Sequence, residues 1–332
     1  MRLNKNIKIF LNYILGPLLF AWLSYSVFKQ IRDQPHLEES WKNIKASFAD
    51  ARIVNFLLVF VLMFVNWSLE AVKWKLSVAK VQPVSFFRAL KAIFSGVSFS
   101  ITTPNRMGEY FGRMLYMDEG KRLKIVSLTI LGGLSQLIIT VLFGLSGLLI
   151  LQVDMDKLDL PSWLEWIKNT GIIGGALGFI FLTVFYFRIG WLVRWIEKIP
   201  AIKKYIWLIN ELERTDTTLL MRLLSISMLR YFVFSTQYFL LFRFFGVDVN
   251  WWQAFWAIAV VFFIMAIIPS VELFEVVGKT FVTQEIFAIF TVNNLALGFV
   301  TTTIWFINLV VPAAIGSLLI LGIKFFKKDE AS

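Results

Sequence analysis

Cysteine is absent from this chain and histidine occurs once, as His36. Disulfides, thiolate metal sites and cysteine nucleophiles are therefore excluded by count, and one histidine in a polar loop leaves no catalytic triad and no histidine-based metal cluster. No Gly-x-x-x-x-Gly-Lys-Ser/Thr loop is present, so direct drive by nucleotide hydrolysis is not supported. Charge is also scarce: 17% of residues are Asp, Glu, Lys or Arg, against about a quarter in a soluble domain. From these absences we expect no metal, no cofactor, and binding or transport rather than an enzyme.

What fills the space is apolar: 58% of the 332 residues are hydrophobic, including 34 Phe and 13 Trp. Apolar segments run near Ile9 to Phe28, Ile53 to Val72, Ala89 to Thr103, Ile125 to Leu151, Gly171 to Phe187, Leu223 to Phe245, Trp251 to Ile268 and Leu295 to Ile323. A helix needs about 20 such residues to cross the hydrocarbon, and most of these qualify. Ala89 to Thr103 is too short and runs into Pro104, so with the stretch that follows it reads as a re-entrant hairpin lining a cavity. The expected fold is an all-α polytopic membrane protein with about six full spans plus two broken or re-entrant helical hairpins. The first segment follows Arg2, Lys5 and Lys8 as a signal peptide would, but its length, its Gly16-Pro17 and the lack of a small-residue cleavage site make it a retained anchor.

The net charge of +11 falls in clusters between apolar segments, which argues for topology and against nucleic acid. Lys and Arg favour the cytoplasmic ends of spans. Lys73, Lys75, Lys80, Arg88 and Lys91, then Lys121, Arg122 and Lys124, mark one cytoplasmic face. Arg188 to Arg214 and the C-terminal Lys324, Lys327 and Lys328 mark it again, while Gln152 to Thr170 carries four acidic residues and belongs outside. The expectation is a multi-pass protein of the plasma (inner) membrane with both termini cytoplasmic. Gly190 to Arg214 alternates Trp and Ile with basic residues, as in short helices lying in the interface. Gly171, Gly174, Gly175 and Gly178 form a small-residue stripe. It serves packing within the chain or a homo-oligomer, and the oligomeric state is open.

Ionisable residues at bilayer depth are costly and usually functional, at about 2.5 to 3.5 kcal/mol each on insertion scales. They concentrate in Ser100 to Met117, where Arg106, Glu109 and Arg113 follow a helix stop at Thr103-Pro104. Glu109 and Arg113 are four apart and share a helix face. Pro104 suits a first turn, so a half-helix starting there would offer free N–H groups to an anion. The plainer alternative is a structural pair, but Arg106 leaves the group net positive. Arg230, deep in the sixth segment, could balance Glu109, Glu272 or Glu275, or reach the cytoplasmic interface. Beyond Pro269 lie Glu272, Glu275 and Lys279, the last two again four apart. Together these seven residues are the candidate substrate-binding or coupling set, with Pro104 and Pro269 as helix breaks.

The run Thr103-Pro104-Asn105-Arg106-Met107-Gly108-Glu109, followed by Arg113, resembles the signature of the flippase-like membrane family that includes the transmembrane region of bacterial lysylphosphatidylglycerol synthases. The resemblance covers nearly the whole chain in segment order, and this motif is its specific part. It implies handling or movement of lipids, including aminoacylated phospholipids and lipid-linked sugars. Asn105 stands where a glycine is expected, and Ser270 to Phe274 replaces a glycine-rich turn. No long soluble domain follows the last span, so synthase activity is not expected of these residues. The leading expectation is a lipid transporter whose partners are membrane lipids with anionic headgroups. The alternatives are a membrane enzyme with Glu109 as base, or a non-transporting scaffold, serving lipid-linked glycoconjugate pathways.

An offset within the sequence suggests duplication. Phe86 to Ile93 lies over Trp251 to Ile258 at a shift of 165 (251 − 86), and Pro104 falls on Pro269 at the same shift. The single membrane domain 1–332 then divides into a first repeat at 53–151, a connecting span and interfacial segment at 152–217, and a second repeat at 218–323. The charge pattern gives the two copies opposite orientation, an inverted repeat. Sidedness is directly testable because no native cysteine interferes. Single cysteines at Leu158 and Lys204 should react with an impermeant reagent from opposite sides of intact cells, and same-side labelling would end this topology.

Overall fold

In a computed structural model the protein is described at Tyr25 and at residues 28–33, 35–101, 103, 106–155, 162–198, 207–213, 215–268 and 272–321, with backbone alone at 152–155, 162–169, 272–274 and 321. Ile9 to Ser24, most of the first expected span, and Pro104 and Pro269 lie outside these residues. Among the described residues there is no strand. Helix follows helix: α1 Leu37–Ser47, α2 Ile53–Val78, α3 Phe86–Ser100, α4 Gly108–Met114, α5 Lys124–Met155, α6 Ser162–Phe187, α7 Ile189–Ile196, α8 Asn210–Glu213, α9 Thr217–Phe244, α10 Trp251–Ile267, α11 Glu272–Phe287, α12 Asn294–Trp305 and α13 Val311–Leu321.

Among the described residues five stretches are long and apolar enough to cross a membrane, at Ile53–Val78, Lys124–Leu151, Thr170–Phe187, Thr217–Phe244 and Asn294–Ile320. A helix is the element that satisfies its own backbone in lipid. Their surfaces carry the same message. Helix α2 buries Val59, Met63, Trp67, Ala71, Trp74 and Val78 at spacings of three and four, and exposes Leu57, Val61 and Phe64 on other faces. Apolar side chains on the outside of a helix that already has a buried stripe call for lipid as solvent. The last span is continuous except for a π-helical turn at Phe306–Val310. Pro312 explains it, since proline donates no N–H and its ring crowds the carbonyl four residues earlier.

Contacts divide the chain into two compact units, one drawn from residues 1–63, 137–181 and 231–305, the other from 64–136, 182–230 and 306–332. The first is built around α10, which begins with a capping box: Asn250 accepts from the Gln253 backbone N–H at 2.9 Å and Gln253 caps in return. Nearly the whole circumference of α10 is buried, and α11 packs along it. Gly144 and Gly147 let α5 approach, since a Cβ at either would meet Phe263 or the Trp256 carbonyl. Phe143 stacks on Tyr231 at 4.7 Å, and Thr280 and Thr301 join α11 to α12 at 2.6 Å. Of the glycine stripe on α6, Gly175 packs on Leu145 and Phe263, whereas Gly174 and Gly178 have nothing within 4 Å.

The second unit holds the short hairpin. Ser85 caps α3, accepting from the Arg88 backbone N–H at 3.3 Å; Asn250 caps α10 at the same offset of 165 (250 − 85). The chain turns after Ile101 and returns as α4. Contact between the two is backbone to backbone, because a Cβ at Gly112 would occupy the Ser95 peptide and one at Gly108 the Phe99 carbonyl. On the far side α13 approaches equally closely, with Gly316 against the Phe94 carbonyl and Ser317 bonded to Ser98 at 2.6 Å. The described residues of 190–214 include two short helices: Gly190 of α7 rests on Glu213 of α8, and Trp191 and Trp195 are exposed.

These glycines carry a prediction. Alanine at Gly112 would gain about 1 kcal/mol of helix propensity but force a methyl group into backbone that cannot rotate away, costing about 1 to 3 kcal/mol or more. We expect Gly112→Ala to lower the melting temperature in detergent. Gly120→Ala, with nothing within 4 Å, should leave it unchanged.

Candidate functional site

Helix α2 continues past its expected end at Val72 to Val78, and this places two charged residues inside the bundle. Glu70 and Lys73 lie three apart beside the buried stripe, with side chains 9% and 2% exposed, and Lys73 Nζ reaches Glu70 at 2.9 Å. Lys73 thus leaves the cytoplasmic basic group to which its position in the sequence assigned it. The other Glu70 oxygen accepts from Arg113 of α4 at 3.1 Å. Arg230 of α9 closes on Glu70 as well. One carboxylate accordingly ties together α2, α4 and α9.

Arg230 pairs directly with Glu70, a partner the sequence reading did not offer, while Glu109 acts on it through space. Its guanidinium is shared among Glu70, the Asn66 side chain at 3.0 Å and Gln136 at 3.4 Å, and it stands 6.0 Å from the Trp67 ring centre. Lys73 is supported by Ser227 at 3.4 Å, which pairs with Ser135 at 2.8 Å. The expected i, i+4 pair forms: Arg113 donates to Glu109 at 2.6 Å, and Arg106 donates to the other Glu109 oxygen at 2.6 Å. A network results, grading from Arg106, half exposed, to Lys73, almost fully buried.

Three amides at the start of α4 are already taken: Gly108 N–H donates to Thr103 Oγ1 at 2.8 Å, and the Glu109 and Tyr110 amides donate to the Arg106 and Met107 carbonyls. Arg106 adopts a left-handed φ of 59°, uncommon for a residue with a Cβ, which lets the turn close on itself. Among the described residues, four cations, Lys73, Arg106, Arg113 and Arg230, join two carboxylates, Glu70 and Glu109, in this network. Arg113 Nε is buried and donates to nothing.

Of the remaining candidates, Glu275 and Lys279 pair at 2.7 Å along α11 in the first unit. The Glu272 side chain, Pro104 and Pro269 lie outside the described residues. Among the described residues no cluster of three potential metal ligands occurs.

This hairpin, its motif and its arginines sit inside a chain of which residues 13–316 match the family model described as the lysylphosphatidylglycerol synthase TM region. The chain belongs to that family. It is a multi-pass, all-α membrane protein of the family, and the match spans both units. No curated protein and no solved structure matches it.

Within this family member the sequence pointed to Arg106, Glu109, Arg113 and Arg230 but passed over Glu70, Lys73 and Asn66 as site residues. A signal for the first two was present: Trp67, Ala71, Trp74 and Val78 carry the apolar stripe beyond Val72, so Glu70 and Lys73 stand within a span and not at its edge. Removing one member of a buried charge pair strands the others, at about 3 to 5 kcal/mol. Glu70→Ala should be severely destabilised in thermal unfolding, since three cations lose their common partner. Arg106→Gln, at the exposed end, should change stability by about 1 kcal/mol or less.

Proposed function

We propose that this protein moves an anionic lipid across the inner membrane, binding the headgroup at the network of Arg106, Arg113 and Arg230. The observation that carries this reading is a buried donor, Arg113 Nε, that finds no acceptor at a point where the guanidinium groups of Arg106 and Arg230 also gather. A buried donor without a partner is expensive, so an anion is a natural complement. Arginine suits phosphate because its planar fork can donate two bonds at once.

A route for the lipid lies beside the network. Between α2 and α9 a cleft of about 500 Å³ is lined by Leu76, Thr217, Met221, Arg222 and Ile226. Its walls adjoin the charged residues in sequence, for Leu76 is about one turn beyond Lys73 and Ile226 precedes Ser227. Apolar walls with a basic residue among them match acyl chains attached to an anionic head. The membrane-enzyme reading is weaker, because both oxygens of Glu109 accept from arginines and so are poorly placed to take a proton from a substrate. The shared offset of the two helix caps supports an inverted repeat, the architecture in which broken hairpins hold substrate near mid-membrane.

Purified protein in vesicles, carrying a lipid with a fluorescent phosphate headgroup, supplies the test. Arg113→Gln should reduce headgroup movement by about tenfold or more, equivalent to the loss of one charged hydrogen bond, while Arg113→Lys retains part of it. Undiminished movement in well-folded Arg113→Gln would exclude the site, and no movement by the wild-type protein would exclude the transporter reading.

A further inference from the structure

We infer that Lys73 is a proton-binding site linked to the anion site, so that an anionic headgroup and a proton are taken up together. The inference rests on the anionic-lipid reading above and adds to it an ion whose gradient would drive movement. It starts from a difference among the cations that meet at Glu70. Arg113 and Arg230 stay charged at any pH a protein meets, whereas a buried lysine can give up its proton. Among the described residues Lys73 is the cation on Glu70 able to do so, and at 2% exposed it is more deeply placed than either arginine.

A file of hydroxyl groups runs on from it. Lys73 Nζ lies 3.4 Å from Ser227 Oγ of α9, which is 2.8 Å from Ser135 Oγ of α5. Ser135 meets the hydroxyl of Tyr186 on α6, and that hydroxyl donates to the Leu220 carbonyl at 3.0 Å. Ser227, Ser135 and Tyr186 have no exposed surface. Each hydroxyl can accept a hydrogen bond from one neighbour while donating to the next, which is the requirement for passing a proton along the file. It ends beside Met221, a residue lining the cleft between α2 and α9. Holding Lys73 in place requires Glu70; it does not require hydroxyls arranged in this order.

The groups around Lys73 set the sign of the linkage. Among the described residues its charged neighbours are Glu70 on its own helix, Arg113 on α4 and Arg230 on α9, with Glu109 and Arg106 beyond Arg113. The side of α5 toward it is uncharged, with Gly132 next to the lysine Cε and Ser135 one turn on. Like charges disfavour an ammonium and a nearby anion favours it. An anion at the idle Arg113 Nε therefore draws a proton onto Nζ through Ser227, and that proton in turn tightens the anion, as linkage requires. When the anion leaves, the proton returns along the same hydroxyls.

Calorimetry on full-length protein in detergent micelles tests this with short-chain phosphatidylglycerol, a phosphodiester that lacks the second ionisation of a phosphomonoester. Titrations repeated in buffers of different ionisation heat count the protons exchanged. Wild-type protein should take up a proton on binding, and its affinity should fall about tenfold or more from about pH 7 to about pH 9, within the limit of about tenfold per pH unit for one linked proton. Lys73→Arg, which fixes the charge and keeps a partner for Glu70, should bind without proton uptake and with an affinity that hardly varies with pH. Lys73→Met, which fixes its absence, should bind more weakly at about pH 7 and also take up no proton. In vesicles an imposed pH gradient should change headgroup movement by the wild-type protein and leave that of Lys73→Arg unaffected. Binding by the wild-type protein without proton uptake would overturn the inference and leave the anionic-lipid reading standing. Uptake that persists in folded Lys73→Arg would put the proton on a carboxylate and overturn the assignment to Lys73. Failure of the wild-type protein to bind phosphatidylglycerol would overturn both the inference and the reading beneath it.

Discussion

Glu70 is the residue on which the rest of the network depends. Three cations from three helices converge on its two oxygens, Lys73 from its own turn, Arg113 from the hairpin and Arg230 from α9. At membrane depth none of these charges is tolerable alone, so each helix holds its position partly because the others hold theirs. Ion pairs buried in this way are seldom a net source of stability when set against a well-packed apolar core. Their value here is specificity: one register of α2 against α4 and α9 satisfies Glu70, and a slip of one residue in any of them leaves a charge stranded in an apolar setting.

Close helix approach makes the convergence feasible. Arg113 reaches Glu70 because α4 lies against α3 with no side chain between their backbones, at Gly108 and Gly112. Gly316 lets α13 close on the other side of α3. Small residues at helix contacts are the usual means of packing in lipid, where apolar surface gains little by leaving one hydrocarbon environment for another. The hairpin is thus fixed by van der Waals contact and by Ser98 and Ser317, and the arginines it carries are aimed by backbone placement instead of by long flexible reach.

The network also keeps one polar group without a partner, for Arg113 Nε is buried and donates to nothing. An anion bound there, as proposed, would supply its acceptor. Because Glu70 and Glu109 already hold Arg113, such a ligand would meet a guanidinium whose orientation is set, and little ordering would remain to oppose binding.

The sequence by itself determined the solvent and much of the local geometry. Apolar run lengths fixed which segments span, because the hydrocarbon thickness sets a length that composition either meets or misses. Helical periodicity put Glu109 within reach of Arg106 and Arg113, and Glu275 within reach of Lys279, since residues three or four apart on one helix are neighbours in any fold. The family was legible for the same reason, in a motif confined to one turn. Tertiary structure alone decided which charges meet across helices. Arg230 found Glu70 rather than Glu109, and Lys73 went inward although Lys75 and Lys80 of the same basic group face outward, because these outcomes depend on how α2, α4 and α9 rotate about their axes. That rotation is set by the glycine contacts and the buried stripe, which are properties of several segments together and of no single one.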